Sequence, residues 1–371
     1  MEIIILSKSL KQLNVDLVNT SSQVFEIEFA RSLSQYAKVS IISLQANIKE
    51  VNKDISLYPI ENEKKMKYCI KKAIEKNGLF IDRERIMLLF GYDYFILNNL
   101  SWVCKQKEAY LISYTFDTHK AALEHKNRIR RFLIDTYFQL GIKKLNSIGG
   151  IILFNEEAYK SLHLSIPYLI SKVGINNSEI SPVVYKRNEN KCFNIVYAGS
   201  LERYNGIDEM ISAIKLLPLK NIFLNIYGDG TLKNEVIRKS ADDPRIHYRG
   251  IIPRGELDIV IENADLLLNL RDTKHLVSKF AFPSKLIQYL SSGIPVLSTS
   301  VLKDSTFNNV AFVIDELSSE KISDMIFYIV ENPDEQQKRS MLAKDYIRKN
   351  FLWDNVIKDV YDFLRKISQS S

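Results

Sequence analysis

The chain reads as an α/β protein built from two Rossmann-like domains. Three observations predict this. At 371 residues it is long for a single hydrophobic core. Short apolar runs alternate with amphipathic helical stretches along both halves, the pattern of β-α-β units on a largely parallel sheet. The alternation breaks over 176–192, where Asn176-Asn-Ser-Glu-Ile-Ser-Pro182 and Lys186-Arg-Asn-Glu-Asn-Lys191 are polar and without periodicity. We therefore expect an N-terminal domain over 1–180, a C-terminal domain over 190–350, and a final helical segment over 351–371.

In the first half, Glu2–Ser7 is expected as a strand and Val24–Tyr36 as a helix, from the spacing of Phe25, Phe29 and Leu33. Lys38–Leu44 and Ser56–Ile60 follow as strands and Glu63–Asn77 as a basic helix. Met87–Phe90 begins a strand, Tyr92–Lys107 is helical, and Tyr110–Asp117 is a strand. Gly150–Phe154 and Tyr168–Ile175 complete this sheet. In the second half, strands are expected at Phe193–Gly199, Ile222–Tyr227, Ile246–Tyr248, Asp265–Leu270, Pro295–Thr299 and Val310–Ile314. Helices at about 207–217, 231–240, 255–263 and 283–292 lie between them. Ser319–Glu331, Asp334–Arg348 and Trp353–Ile367 are helical. Ligands of such sheets bind at the carboxyl ends of the strands.

Composition narrows the function. With 46% hydrophobic and 26% charged residues the chain is an ordinary globular protein. No apolar run approaches the ~18 residues of a membrane helix, and Met1-Glu-Ile-Ile-Ile-Leu-Ser-Lys8 has too short an apolar run for a signal peptide. Cys69, Cys104 and Cys192 are scattered without paired spacing, which argues for a reducing compartment and against a disulfide or zinc framework. The net charge of +7 is uneven. Residues 1–180 hold 25 Lys and Arg against 19 Asp and Glu, and residues 181–371 hold 26 against 25. A basic surface attracts anionic lipid, nucleic acid or a phosphorylated substrate. No helix-turn-helix, RNA-recognition or zinc-finger signature is present, so nucleic acid is not expected.

The most specific segment is Phe280-Ala-Phe-Pro-Ser-Lys-Leu-Ile-Gln-Tyr-Leu-Ser-Ser-Gly-Ile-Pro-Val-Leu-Ser-Thr299. Pro283 suits the first helical turn, and Leu286, Ile287 and Leu290 give one apolar face. Gly293 is placed to end the helix. A polar loop entering a helix inside an α/β unit offers free N–H groups and a dipole to an anion. The bland alternative is a plain helix–strand unit. Upstream, Val196-Tyr-Ala-Gly-Ser-Leu-Glu-Arg-Tyr-Asn-Gly206 and Tyr227-Gly-Asp-Gly-Thr-Leu232 are strand exits with glycines. There Gly199 permits close approach to a ligand, while Gly228 and Gly230 fit either clearance beside a nucleotide or a tight turn. Arg271-Asp-Thr-Lys-His275 ends a buried strand with a cation. In the first half, Tyr110-Leu-Ile-Ser-Tyr-Thr-Phe-Asp-Thr-His119 runs into Asp117 and His119, either a proton-handling pair or a capping aspartate with a surface histidine. Lys120–Lys144 carries seven basic residues against Glu124 and Asp135, interleaved with Ile129, Phe132, Leu133, Tyr137 and Phe138. It fits either an anionic lipid surface or a helix with its apolar face in the core.

Taken in order, these segments resemble retaining glycosyltransferases of the GT-B fold. The likeness is to the family-four type, glycosyl transferases group 1, in the capsule and exopolysaccharide branch with a Phe-Pro-Ser-Lys donor helix. The resemblance implies two Rossmann-like domains facing a central cleft, and a nucleotide sugar, with UDP favoured, as donor. It implies transfer to a hydroxyl of a glycan or an undecaprenyl-diphosphate-type lipid-linked acceptor with retention, in cell-surface polysaccharide synthesis. It places the protein in the cytoplasm or at the inner membrane face, where related enzymes work, with the last helix crossing back to the first domain. Arg271 and Lys285 would neutralise the diphosphate without a metal ion or other cofactor, and Asp117 and His119 would serve the acceptor side. Gly199, Ser200, Arg203, Asn205, Gly228, Gly230, Phe282, Pro283, Ser284 and Gln288 would line the donor. Ile251 and Ile252, in Tyr248-Arg-Gly-Ile-Ile-Pro253, would lie along the base. The chain departs from the family at four positions. Many members have arginine where Ser200 stands and lysine where Asn205 stands, and glutamates where Phe280 and Gln288 stand. These departures leave open a catalytically silent GT-B subunit that binds a partner transferase or glycan. A sugar-nucleotide epimerase shares the fold.

Overall fold

A computed structural model describes residues 1–8, 10, 21–44, 50–51, 55–60, 62, 65–82, 84–115, 128–182, 184–187, 192–280, 282–300 and 306–369. They form two compact units. One is Met1–Ile175 with Phe280–Phe282 and Phe351–Ser371, and the other is Asn176–Lys279 with Pro283–Asn350.

The first unit is an eight-stranded sheet in the order β3-β4-β2-β1-β5-β6-β7-β8. Its strands are β1 (Glu2–Ser7), β2 (Lys38–Ser43), β3 (Glu50–Val51), β4 (Ser56–Pro59), β5 (Arg85–Phe90), β6 (Ala109–Thr115), β7 (Gly150–Leu153) and β8 (Tyr168–Ile170). The described pairings are parallel except β3 with β4. Helices cover both faces, so the strands read as continuous apolar runs. Ile3, Ile4, Ile5 and Leu6 of β1 are all fully buried, alternately in the two cores. The helices are α1 (Ser21–Leu33), α2 (Met66–Lys76), α3 (Tyr94–Leu100), α4 (Arg128–Leu145) and α5 (Glu156–Leu162). The last helix of the chain, Trp353–Gln369, belongs to this unit. Its Trp353, Val356, Ile357, Val360, Leu364 and Ile367 enter the same core as Phe25 and Phe29. A Cβ on Gly174 would collide with the Trp353 indole, so glycine there makes room for the ring.

The second unit is a six-stranded parallel sheet, β11-β10-β9-β12-β13-β14. Its elements in chain order are β9 (Phe193–Ala198), α6 (Ile207–Leu216), β10 (Ile222–Tyr227), α7 (Lys233–Ala241), β11 (Ile246–Gly250) and α8 (Arg254–Glu262). Next come β12 (Leu266–Asn269), α9 (Leu276–Phe280), α10 (Ser284–Ser292), β13 (Val296–Thr299), α11 (Phe307–Val310) and β14 (Phe312–Ile314). Helices α12 (Ser319–Glu331) and α13 (Pro333–Phe351) follow, and α14 is Trp353–Gln369. Gly293 ends α10 at φ 72°, a left-handed turn that costs a Cβ-bearing residue about 1–2 kcal/mol.

Several elements differ from the sequence expectation. Tyr92–Lys107 is not one helix. Asn99 Nδ2 and Ser101 Oγ donate to the carbonyls of Phe95 and Asn98, which closes α3 at Leu100, and a short 3₁₀ turn follows at Val103–Lys105. The strand expected over Tyr168–Ile175 stops at Ile170, because its partner β7 ends at Leu153, opposite Ile170. The strand expected from Val310 begins at Phe312, since Phe307–Val310 is a helical turn. Helices α5 and α9 were not anticipated. For α5 the signal was present, as Asn155 caps Ala158 N at 2.7 Å and Glu156 and Glu157 stand in the first turn.

Candidate functional site

In the second sheet β9 is flanked by β10 on one side and β12 on the other. Strand order therefore reverses between β9 and β12, and the loops leaving their carboxyl ends diverge there, the place where open α/β sheets bind ligands. Those ends carry Gly199 and Ser200 after β9 and Arg271 after β12, with Thr299 closing β13.

Lys285 is the second residue of α10. Pro283 precedes the helix as its cap and supplies no side-chain bond to the first N–H groups. Lys285 Nζ lies 3.4 Å from Tyr197 Oη and 4.5 Å from the centre of that ring. A Cβ on Gly199 would collide with this ammonium, so the glycine is the floor on which the lysine rests. The residue as a whole is partly exposed, while its charged end is packed against glycine backbone and an aromatic face. Burial, and then the nearby Arg271 guanidinium, pull its pKa down to about 7. A cation held short of solvation beside a second cation is relieved by an anion, above all one with several oxygens.

Hydrogen bonds fix this floor. Tyr289 Oη donates to Ala198 O at 3.1 Å and accepts from Ala198 N at 3.0 Å. Tyr197 Oη donates to Ser200 O at 2.8 Å. Burial pushes both phenols well above the usual tyrosine range, so they remain neutral donors. Thr299 Oγ1 accepts from Arg271 N at 2.9 Å and donates to Arg271 O at 2.8 Å. The backbone of Asp272 donates to Tyr204 O at 2.8 Å, and the His275 ring stacks on Tyr204 with centres 4.7 Å apart.

The other residues picked out by sequence fall as follows. Asn205 is buried and its amide donates to Ser200 O and Oγ, both at 2.9 Å, so these two uncharged residues form one closed unit. Arg203 is exposed. Gly228 and Gly230 belong to the loop after β10, where a Cβ would strike the backbone of Gly199 and Leu201. Close loop packing accounts for both glycines. Ser284 and Gln288 share the exposed face of α10, four residues apart. Ile251 is 71% exposed and Ile252 partly so. Pro283 is buried. Phe282 counts with the first unit, where its ring lies 5.3 Å from that of Phe154, and Phe280 is buried in that unit's core. Asp117 and His119 lie outside the described residues. Sequence reasoning missed Tyr197, Tyr289 and Thr299. Tyr289 was accessible, since it follows Lys285 by one helical turn.

The first sheet has its own switch, between β1 and β5. There Ser7 Oγ donates to Glu26 Oε2 at 2.5 Å, Lys8 Nζ lies 3.8 Å from Asp93 Oδ2, and Tyr137 Oη donates to Asp93 Oδ1 at 2.9 Å. Among the described residues no group of three His, Cys, Asp or Glu is placed to hold a metal ion.

Comparison with known proteins gives this geometry a family context. Residues 181–346 match the sequence profile described as Glycosyl transferases group 1. The matched stretch falls almost wholly within the second unit. No curated protein matches the chain in sequence. Solved structures match it over its whole length. Sucrose-phosphate synthase from Thermosynechococcus elongatus is 12% identical at a TM-score of 0.72, covering 100% of both chains. Anabaena HepE, solved with UDP, is 11% identical at 0.69, over 99% of this chain and 100% of that one. A glycosyltransferase from Rickettsia africae is 14% identical at 0.70, over 100% of this chain and 99% of that one. At such identities the likeness establishes the fold, which is GT-B.

Proposed function

We propose that this protein transfers a sugar from a nucleotide-sugar donor to a hydroxyl of a glycan or lipid-linked glycan, with retained anomeric configuration, in the assembly of a cell-surface polysaccharide. One observation carries the reading. The Lys285 ammonium sits at the start of α10 with Arg271 near it, over a glycine floor at the sheet's switch point. The leaving nucleoside diphosphate gains negative charge as the sugar departs, and preorganised cations and helix N–H groups stabilise that charge most in the transition state. Lys285 and Arg271 take the diphosphate on this reading, Ser284 and Gln288 take sugar or ribose hydroxyls, and Asp117 and His119 serve the acceptor. UDP is the first base to test, because HepE was solved with UDP and with UDP-glucose.

The test is a thermal-shift series with UDP, GDP and ADP, without and with magnesium. A nucleotide at 100 times its dissociation constant stabilises by about 2.7 kcal/mol. A shift with one nucleotide that Lys285→Ala abolishes supports the site. No shift with any nucleotide, or unchanged affinity of Lys285→Ala in calorimetry, sinks it. A second reading, a silent subunit that binds without turnover, is favoured by Ser200 and Asn205, which spend their polar groups on each other. Nucleotide binding without sugar release across a panel of glycan acceptors would select it. A nucleotide sugar altered without any acceptor would mark an epimerase.

A further inference from the structure

Helix α4 presents its apolar stripe to solvent. Ile129, Phe132, Leu133, Tyr137 and Leu140 follow the spacing of one helical face, and they are 75%, 70%, 61%, 36% and 40% exposed. The opposite face, Gly141, Ile142 and Leu145, is buried, and Phe138 packs on Tyr92 with ring centres 5.4 Å apart. The helix is therefore docked on its own unit by one side, and its more apolar side is turned outward. Arg128 and Arg130 project on either flank of that stripe, with Arg131 and Lys143 also exposed, and Asp135 is the helix's one acidic residue. Phe95, 48% exposed, extends the apolar surface beside Tyr137, whose Oη accepts from Phe95 N at 3.2 Å.

We infer that α4 is a membrane-docking face that lies in the headgroup layer of an anionic bilayer. An apolar stripe of about three turns bordered by cations is the arrangement of an interfacial helix. Its rings enter the acyl boundary while arginines and lysines stay level with lipid phosphates. Charge selects the occupant: five basic residues against one acid on this helix fit an anionic surface. Among the described residues no helix is long and apolar enough to cross a membrane, so attachment lies along the surface. The Tyr137 hydroxyl also donates to Asp93, next to Lys8 at the end of β1. The docking face thus borders the switch point of the first sheet, which suits an acceptor whose anchor stays in the lipid. The inference goes beyond sugar transfer, and its test uses no turnover.

The experiment is co-sedimentation of the full chain with vesicles of phosphatidylcholine alone and of phosphatidylcholine mixed with phosphatidylglycerol. The wild type should pellet with the mixed vesicles only, and added salt should release it. Phe132→Ser with Leu133→Ser, and separately Arg128→Gln with Lys143→Gln, should each weaken pelleting by about tenfold or more. Both should melt with the wild type, since these side chains are exposed, and both should keep the nucleotide-induced shift of the second unit. Failure of the wild type to pellet overturns the proposal, as does equal pelleting of the variants. So does a wild-type dimer in solution that Phe132→Ser with Leu133→Ser dissociates, because the face would then be covered by a second copy.

Discussion

The two sheets share one switch in strand order and furnish it in opposite ways. At β1 and β5 the cation Lys8 stands beside Asp93 and Glu26, and both carboxylates act to hold its proton against burial. At β9 and β12 Lys285 is buried against another cation, and no carboxylate among the described residues offsets it. A matched set of charges has little to gain from a further anion. An unmatched lysine over glycine has much to gain. The anion site of the second unit is thus made by what is kept away from Lys285 as much as by the lysine itself.

The sharpest way to break this contrast is Lys285→Met. Nucleotide affinity should fall by about 100-fold, or about 2.7 kcal/mol, in calorimetry. The free protein should move the other way. Lys285 has a folded pKa of about 7 against 10.5 for the ordinary side chain, so the unfolded chain binds more protons between those values. Stability of the wild type should therefore rise as pH increases from about 7 toward 10.5, by at most about 1.4 kcal/mol per pH step for this group. The methionine variant should melt higher than the wild type at and below neutral pH, with the gap closing in alkali. A variant that melts lower at pH 6–7 would show that the lysine is not held at a cost.

Gly199→Ala should come next. Its methyl group must displace the ammonium, and nucleotide affinity should drop about tenfold, or about 1.4 kcal/mol, with the fold retained. Unchanged binding would mean that the lysine does not need that floor. Tyr289→Phe removes both bonds to Ala198 and leaves its N–H without that partner, which should cost about 1–3 kcal/mol in chemical denaturation. The smallest effect belongs to the first sheet. Lys8→Ala breaks a half-exposed pair and should cost about 0–1 kcal/mol, leaving nucleotide affinity where it was. A loss of nucleotide affinity there would erase the distinction between the two switch points.

Much of the second unit was legible in the sequence, because its strands and helices alternate cleanly and Lys285 falls one residue inside a helix. What surrounds the lysine was not. Tyr197 reads as one more apolar position of a strand, and only the folded sheet turns its phenol under the ammonium. Thr299 reads as a strand end, and its bonds to Arg271 join positions 28 residues apart. Gly228 and Gly230 were placed in the right loop, yet their crowding by Gly199 and Leu201 depends on contact between two separate loops. In the first unit periodicity found the amphipathic stretch of α4, but a stripe at helical spacing has the same pattern whether it meets a core or faces water.

The helix that completes the first unit is made only after the whole of the second unit. Trp353, Val356 and Val360 fill a core begun by Phe25 and Phe29 more than three hundred residues earlier. Nascent domains ordinarily fold in the order in which they are made. Here the middle of the chain, Asn176–Asn350, holds nearly all of its own unit and can close on the ribosome, whereas the first-made sheet waits for the final turns of α14 to emerge. A polypeptide truncated before Trp353 would leave the aromatic cluster of Phe25, Phe29, Phe90 and Tyr114 uncovered. Quality control in the cell therefore meets this protein, until α14 has been made, with its first unit unfinished and its second complete.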